Sequence, residues 1–182
     1  HITCYSYAQM GDSFIFQFIK KWRQVGAIMP SSIFLVEDML EEVDWNSLRL
    51  IVELGAGSGS FTKEILKKMH PEAKLFVFEI DKVFIKKLSK IDDTRMTLIP
   101  DSATNISRYL NGEKAGAIIS GIPLSNLDNK TKSEIIKDSV KNMSEDGVFL
   151  QFQYFPESYN FLKRHFEDIK VRFTLFNTPP AF

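Results

Sequence analysis

Residues 51–60 read IVELGAGSGS. An apolar, β-favouring run with one acid passes into Gly55-Ala56-Gly57-Ser58-Gly59, and FTKEILKKM follows with helical spacing. A buried strand, a glycine turn and a helix N-terminus form a cradle for a nucleotide-like ligand. The dinucleotide fingerprint is G-x-G-x-x-G, with its third glycine inside the helix. Here the glycines alternate, and Glu53 stands two residues before the first. That spacing departs from the dinucleotide fingerprint.

The rest of the chain repeats this unit. LRLIVEL, KLFVFEI, RMTLIP, AGAIIS, GVFLQFQYF and DIKVRFTLF read as six strands. SFTKEILKKM, DKVFIKKLSK, SATNISRYL, TKSEIIKDSVKNM and PESYNFLKRHF read as the helices between them. Continuous apolar strands alternating with amphipathic helices predict an α/β fold: a doubly wound, mostly parallel sheet in three α/β/α layers. Right-handed crossovers place the loops after the first four strands on one sheet edge, where ligands bind. Upstream, Asp12 and Ser13 cap a first expected helix running to about Arg23, and Ser31 or Ser32 caps a second, IFLVEDMLEEV. The expected organisation is an N-terminal helical cap over residues 1–47 and one ligand-binding unit over residues 48–182.

Composition narrows the functions. The 23 basic and 23 acidic residues balance, which argues against a global field for nucleic acid. One cysteine, Cys4, forms no intrachain disulfide and fits a reducing, cytoplasmic setting. No segment has the length of a membrane span, the N-terminus lacks the pattern of a secretory leader, and no metal-ligand spacing appears.

The E-x-G-x-G-x-G pattern, with acids ending the next two strands, is similar to motif I and its companions in the class I S-adenosylmethionine methyltransferases, from about Leu48 to Phe176. The segments GAIMPSS, VELGAGSGSFT, SGIPLSNL, QFQYF and NTPPAF more closely resemble the bacterial phospholipid N-methyltransferases. Their loop often reads G-P-G-T-G, where Ala56 and Ser58 stand here. The rRNA adenine dimethyltransferases are a more distant likeness. They carry an Asn-Leu-Pro-Tyr-type tetrapeptide after the fourth strand, where Ser120 and Leu124 replace the Asn and the aromatic.

The resemblance implies S-adenosylmethionine as cofactor and S-adenosylhomocysteine as product. Gly55, Ala56, Gly57 and Gly59 let the backbone approach the methionine portion, and Glu53 binds its ammonium directly or through water. Glu79 accepts from the ribose hydroxyls, and Ile80 covers an adenine face. Asp101 takes the adenine amino group, with Ser102 and Ala103 facing the ring. Ser31 and Ser32 close over the methionine end. Ser120 and Tyr154 orient the acceptor. The family sheet has a final antiparallel strand beside the fifth; it would begin near NTPPAF, and is expected here to be missing, very short or truncated.

The acceptor expected is the amine of a phospholipid head group such as phosphatidylethanolamine. Alternatives are a nucleic-acid base, a soluble amine, or a cofactor-binding module without turnover. An independent sign of lipid lies in DSFIFQFIKKWRQ, where Phe14, Ile15, Phe18, Ile19 and Trp22 share one helical face flanked by Lys20, Lys21 and Arg23. Such a helix, from Asp12 to Arg23, suits the anionic inner face of a membrane, although packing that face inward fits as well.

Overall fold

The computed structural model describes residues 2–8, 40–41, 43–153, 159–166 and 168–173. Seven strands join in one sheet. They are β1 (Thr3–Ala8), β2 (Leu50–Leu54), β3 (Lys74–Phe78), β4 (Met96–Ile99), β5 (Ala115–Ser120), β6 (Met143–Gln153) and β7 (Asp168–Phe173). Their order is β4-β3-β2-β5-β6-β1-β7, and every pairing is parallel. The helices are α1 (Ser60–Lys68), α2 (Lys82–Leu88), α3 (Ser107–Leu110), α4 (Asn129–Asn142) and α5 (Tyr159–Leu162). The six strands and the doubly wound sheet read from the sequence are present.

The central strand shows why the sheet forms. All five residues of β2 are buried, as expected of a strand covered on both faces. Alternation sends Ile51 toward the layer of Phe61, Ile65 and Leu66 on α1. It sends Leu50, Val52 and Leu54 toward Ile135 and Ile136 on α4 and Leu162 on α5. The chain runs outward from β2 to β4, then crosses back to β5 on the other side of β2. The loops after β2 and β5 therefore lie side by side at the reversal of strand order, where a crevice must open.

Two features depart from the sequence expectation. The place beside β6, where the family sheet carries its antiparallel strand, holds β1, and the NTPPAF segment lies outside the described residues. β1 runs parallel to both β6 and β7, so the N-terminal residues join the two C-terminal strands. The second departure is the start of β6. Met143 caps α4 in an extended conformation and continues directly into the strand. The register shifts between the Ala115–Met143 and Ala117–Val148 pairs, and this irregularity absorbs SEDG. The predicted helix over 102–110 is a 3₁₀ turn, Ala103–Asn105, followed by α3.

The helix expected from Asp12 to Arg23 lies outside the described residues, as do Ser31, Ser32 and Tyr154. Leu40 and Val43 are buried in the same core as α1, and Trp45 Nε1 donates to the Leu40 carbonyl at 2.9 Å.

β1 bonds to neighbours on both sides, so it cannot tolerate a residue without an N–H. Ser6→Pro should lower the stability read from urea unfolding by about 2 kcal/mol or more, since ladder bonds contribute about 1 kcal/mol each. An unchanged midpoint would show that β1 does not hold β7 to the sheet.

Candidate cofactor site

The crevice is a cavity of about 370 Å³ at the carboxyl ends of β2, β3, β4 and β5. It falls within the ordinary range of small-molecule pockets, about 300–1,000 Å³. Its wall includes Gly55, Ala56, Gly57 and Ser58 from the loop after β2, and Glu79 and Ile80 after β3. Asp101, Ser102 and Ala103 follow β4, and Gly121, Ile122 and Pro123 follow β5. Four separate loops thus bring most of the predicted residues together.

The glycines have different physical reasons. Gly55, Gly57 and Gly59 all have positive φ, at 69°, 55° and 85°. A Cβ on Gly55 would stand 2.6 Å from Ile122 Cγ1, so glycine there lets the loops after β2 and β5 touch. A Cβ on Gly59 would meet Leu88 Cδ2 at 3.0 Å, so that glycine packs α1 against α2 and does not line the cavity. Only at Gly57 is there nothing within 4 Å, and there the backbone opens on the cavity. Gly55 and Gly57 thus line the cavity expected of all three glycines, and Gly59 does not. Gly59 also leaves the N-terminus of α1 without a side-chain cap.

Glu79 is buried and ties the site together. Its Oε2 accepts from Gly57 N–H at 2.7 Å, and its Oε1 accepts from Ile80 and Asp81 N–H at 2.8 and 2.9 Å. Asp81 is the cap of α2, accepting from Val83 and Phe84 N–H. Glu79 is thereby left to the turn and the cavity. Ile80 is 72% exposed at the rim of the cavity.

Asp101 is equally constrained. Its Oδ1 accepts from Ser102 N–H and Asn105 Nδ2, and its Oδ2 from the Tyr109 hydroxyl. Asn105 and Tyr109 were not singled out in the sequence, although they stand four and eight residues after Asp101, a legible helical signal. The segment carrying them is pinned to α4, because Ser107 N–H donates to Asp138 and Asn142 Nδ2 donates to Ser107 Oγ. The Ser102 N–H is turned to Asp101 and away from the cavity ligand expected of it.

Glu53 and Ser120 lie behind the wall, not in it. Ser120 is fully buried, and its hydroxyl accepts from Ile122 N–H at 3.4 Å. Gln151, which the sequence did not suggest, donates from Nε2 to the Ile122 carbonyl at 2.9 Å. Both residues hold the loop that faces the cavity. Glu53 points to the α1 side, where Thr62 Oγ1 donates to its Oε2 at 2.7 Å. Its Oε1 has no hydrogen-bond partner among the described residues. Burial pushes the carboxyl up from 4.5 to about 8, Glu79 adds to the rise, and the Thr62 bond opposes it.

An alternating glycine turn, acids at two successive strand ends and a cavity of nucleoside size agree with what known proteins show. A family model described as an O-methyltransferase domain matches residues 3–102, over half the chain. The chain belongs to this O-methyltransferase domain family. It is a methyltransferase that uses S-adenosylmethionine. Over 180 residues it is 27% identical to the ornithine lipid N-methyltransferase of Singulisphaera acidiphila, covering 94% of each chain. It is 33% identical over 76 residues to the ribosomal RNA small subunit methyltransferase H of Christiangramia forsetii, covering 42% of this chain and 24% of that one. The crystal structure of the N-methyltransferase NodS from Bradyrhizobium japonicum, in complex with S-adenosylhomocysteine, shares the fold. Its TM-score is 0.53 at 16% identity, covering 65% of this chain and 59% of NodS.

The raised Glu53 carboxyl makes a pH prediction. The folded chain keeps the proton up to about pH 8, whereas an unfolded chain releases it near 4.5. The folded state binds more protons across that window, so stability should fall as pH rises through it and then level off. Glu53→Gln should remove this slope in urea midpoints measured from pH 4.5 to about 8. Parallel curves for the two proteins would contradict the buried, protonated carboxyl.

Proposed function

We propose that the chain methylates the amine of a lipid head group. The observation that carries this reading is the relative that aligns end to end, the ornithine lipid N-methyltransferase, at 94% of both chains. The match to the rRNA enzyme covers less than half of this chain. The family description names oxygen acceptors, but its match ends at residue 102, before the loops after β5 and β6. Those loops govern the acceptor in this reading. Among the described residues no helix is long and apolar enough to cross a membrane. Lipid would then be reached from the membrane surface, with the Asp12–Arg23 segment as the proposed contact.

In this reading the cofactor meets the cavity residue by residue. Gly57 and Ala56 let the methionine portion approach the backbone, near the N-terminus of α1, whose dipole suits its carboxylate. Glu53 acts from beneath the turn through water, because it does not line the wall. A cation above it would draw off its proton. Glu79 receives a ribose hydroxyl on Oε2, which has one donor among the described residues and room for another. Ile80 loses its exposure by covering the adenine. Asp101 takes the adenine amino group, and Ala103 lines the ring.

When bound, S-adenosylmethionine supplies a methyl group on a cationic sulfur. The acceptor nitrogen must arrive deprotonated and in line with that methyl. Ser120 and Gln151 contribute by holding the Ile122 loop, and Tyr154 is proposed to face the same acceptor. Holding two reactants in line accounts for roughly 7–11 kcal/mol of barrier in well-aligned cases. The apolar side chains of Phe61, Ile122 and Leu127 around the cavity exclude water.

The test is methyl transfer from radiolabelled S-adenosylmethionine to vesicles of phosphatidylethanolamine, vesicles of ornithine lipid, RNA and soluble amines. Label should appear in lipid, more strongly when the vesicles contain anionic lipid and less at high salt. Label in RNA or soluble amines alone would overturn the lipid reading.

A further inference from the structure

The donors around Asp101 do more than hold it. A carboxylate offers about four lone-pair directions. Ser102 N–H at 2.6 Å and Asn105 Nδ2 at 2.9 Å occupy Oδ1, and the Tyr109 hydroxyl at 2.8 Å occupies one direction on Oδ2. Among the described residues, one direction remains, and it belongs to the oxygen that Tyr109 holds. Asp101 lines the cavity; Tyr109 and Asn105 stand behind it. The Tyr109 ring is itself fixed, edge-on to Phe78 with centroids 5.5 Å apart and planes at 84°. Phe78 is part of the cavity wall.

All three partners are donors, so they favour an ionised Asp101. The Tyr109 bond, then Asn105, then Ser102, hold its carboxyl below the usual carboxylate range. Asp101 in turn pushes the Tyr109 phenol up, so the phenol keeps its proton and donates. An ionised carboxylate with a fixed vacant direction can accept a hydrogen bond and cannot donate one. It accepts from the 6-amino group of adenine. It repels the 6-carbonyl of hypoxanthine, which would bring two acceptors face to face.

We propose that Tyr109 is the positioning residue that sets the purine specificity of the cofactor site, holding Asp101 Oδ2 so that its one vacant direction selects a 6-aminopurine over a 6-oxopurine. This rests on the assignment of Asp101 to the adenine amino group made above. Asn105 holds the other oxygen and has a smaller part in the selection.

The experiment titrates S-adenosylhomocysteine and its inosine counterpart into the full chain and its variants by calorimetry. The native chain should prefer the adenine form by about tenfold to hundredfold, the range for a hydrogen bond to a charged group. Tyr109→Phe keeps the ring on Phe78 and removes the hydroxyl. It should weaken S-adenosylhomocysteine more than the inosine form and shrink the preference to about threefold or less. Tyr109→Leu is a second hydroxyl-free variant should the first fold poorly, and Asn105→Ala should keep most of the preference. Equal weakening of both ligands in the Tyr109 variants, or no change in either, would make Tyr109 merely structural and overturn the proposal. An equal loss of preference in Asn105→Ala would overturn its assignment to Tyr109. Asp101→Asn tests the underlying assignment separately. It should abolish or reverse the preference, and an unchanged preference there would remove Asp101 from the adenine site altogether.

Discussion

Glu79 gathers three backbone N–H groups on one carboxylate, and one of them comes from Gly57, 22 residues earlier. That bond draws the glycine turn over the end of β3. Gly55 and Ala56 N–H reinforce it by both donating to the Phe78 carbonyl. On the other side, Gly121 N–H donates to the Leu54 carbonyl, and a Cβ on Gly121 would stand 3.0 Å from the Gly55 carbonyl oxygen. The turn is therefore fixed to β3 and β5 at once. A backbone with positive φ at successive glycines would otherwise be free to move, and no preorganised cradle would exist.

The same carboxylate belongs to the scaffold and faces the cavity. That economy recurs around the site. Asp101 holds its own helical segment and presents one acceptor direction. Glu53 sits behind the cavity wall with one oxygen bonded to Thr62, and its burial raises its carboxyl. Three acids at the ends of three neighbouring strands thus meet three different environments. Their chemistry follows from those environments, since the residue type alone would not separate them.

Much of this was legible in the chain. β2 and β5 announced themselves because strands buried on both faces are continuous apolar runs, and β3 and β4 by their place between helices of period 3.6. The glycine turn, Glu79 and Asp101 were legible because topology alone puts strand ends on one edge. β1 was not. TCYSYA lacks an apolar run, and Thr3 pairs with Val148 in β6 and Asp168 in β7, far along the chain. The start of β6 was obscured because SEDG reads as a turn and is absorbed as a bulge. Ser120 was correctly placed at a strand end, but sequence order does not say whether a side chain faces the cavity or the interior. The Gly57–Glu79 bond and the Tyr109–Asp101 bond depend on where loops meet. The first has no local trace; the second spans eight residues, two steps of four that a break between a 3₁₀ turn and α3 disguises.

The central claim is that Glu79 holds the ribose of S-adenosylmethionine while also holding the turn. Calorimetric titration of S-adenosylhomocysteine into the native chain and Glu79→Ala tests it most directly. The native chain should bind at one saturable site, and the variant should lose about 1.5–3 kcal/mol of binding free energy, the range for a hydrogen-bonded charged group. Equal affinity in the two proteins would contradict the account.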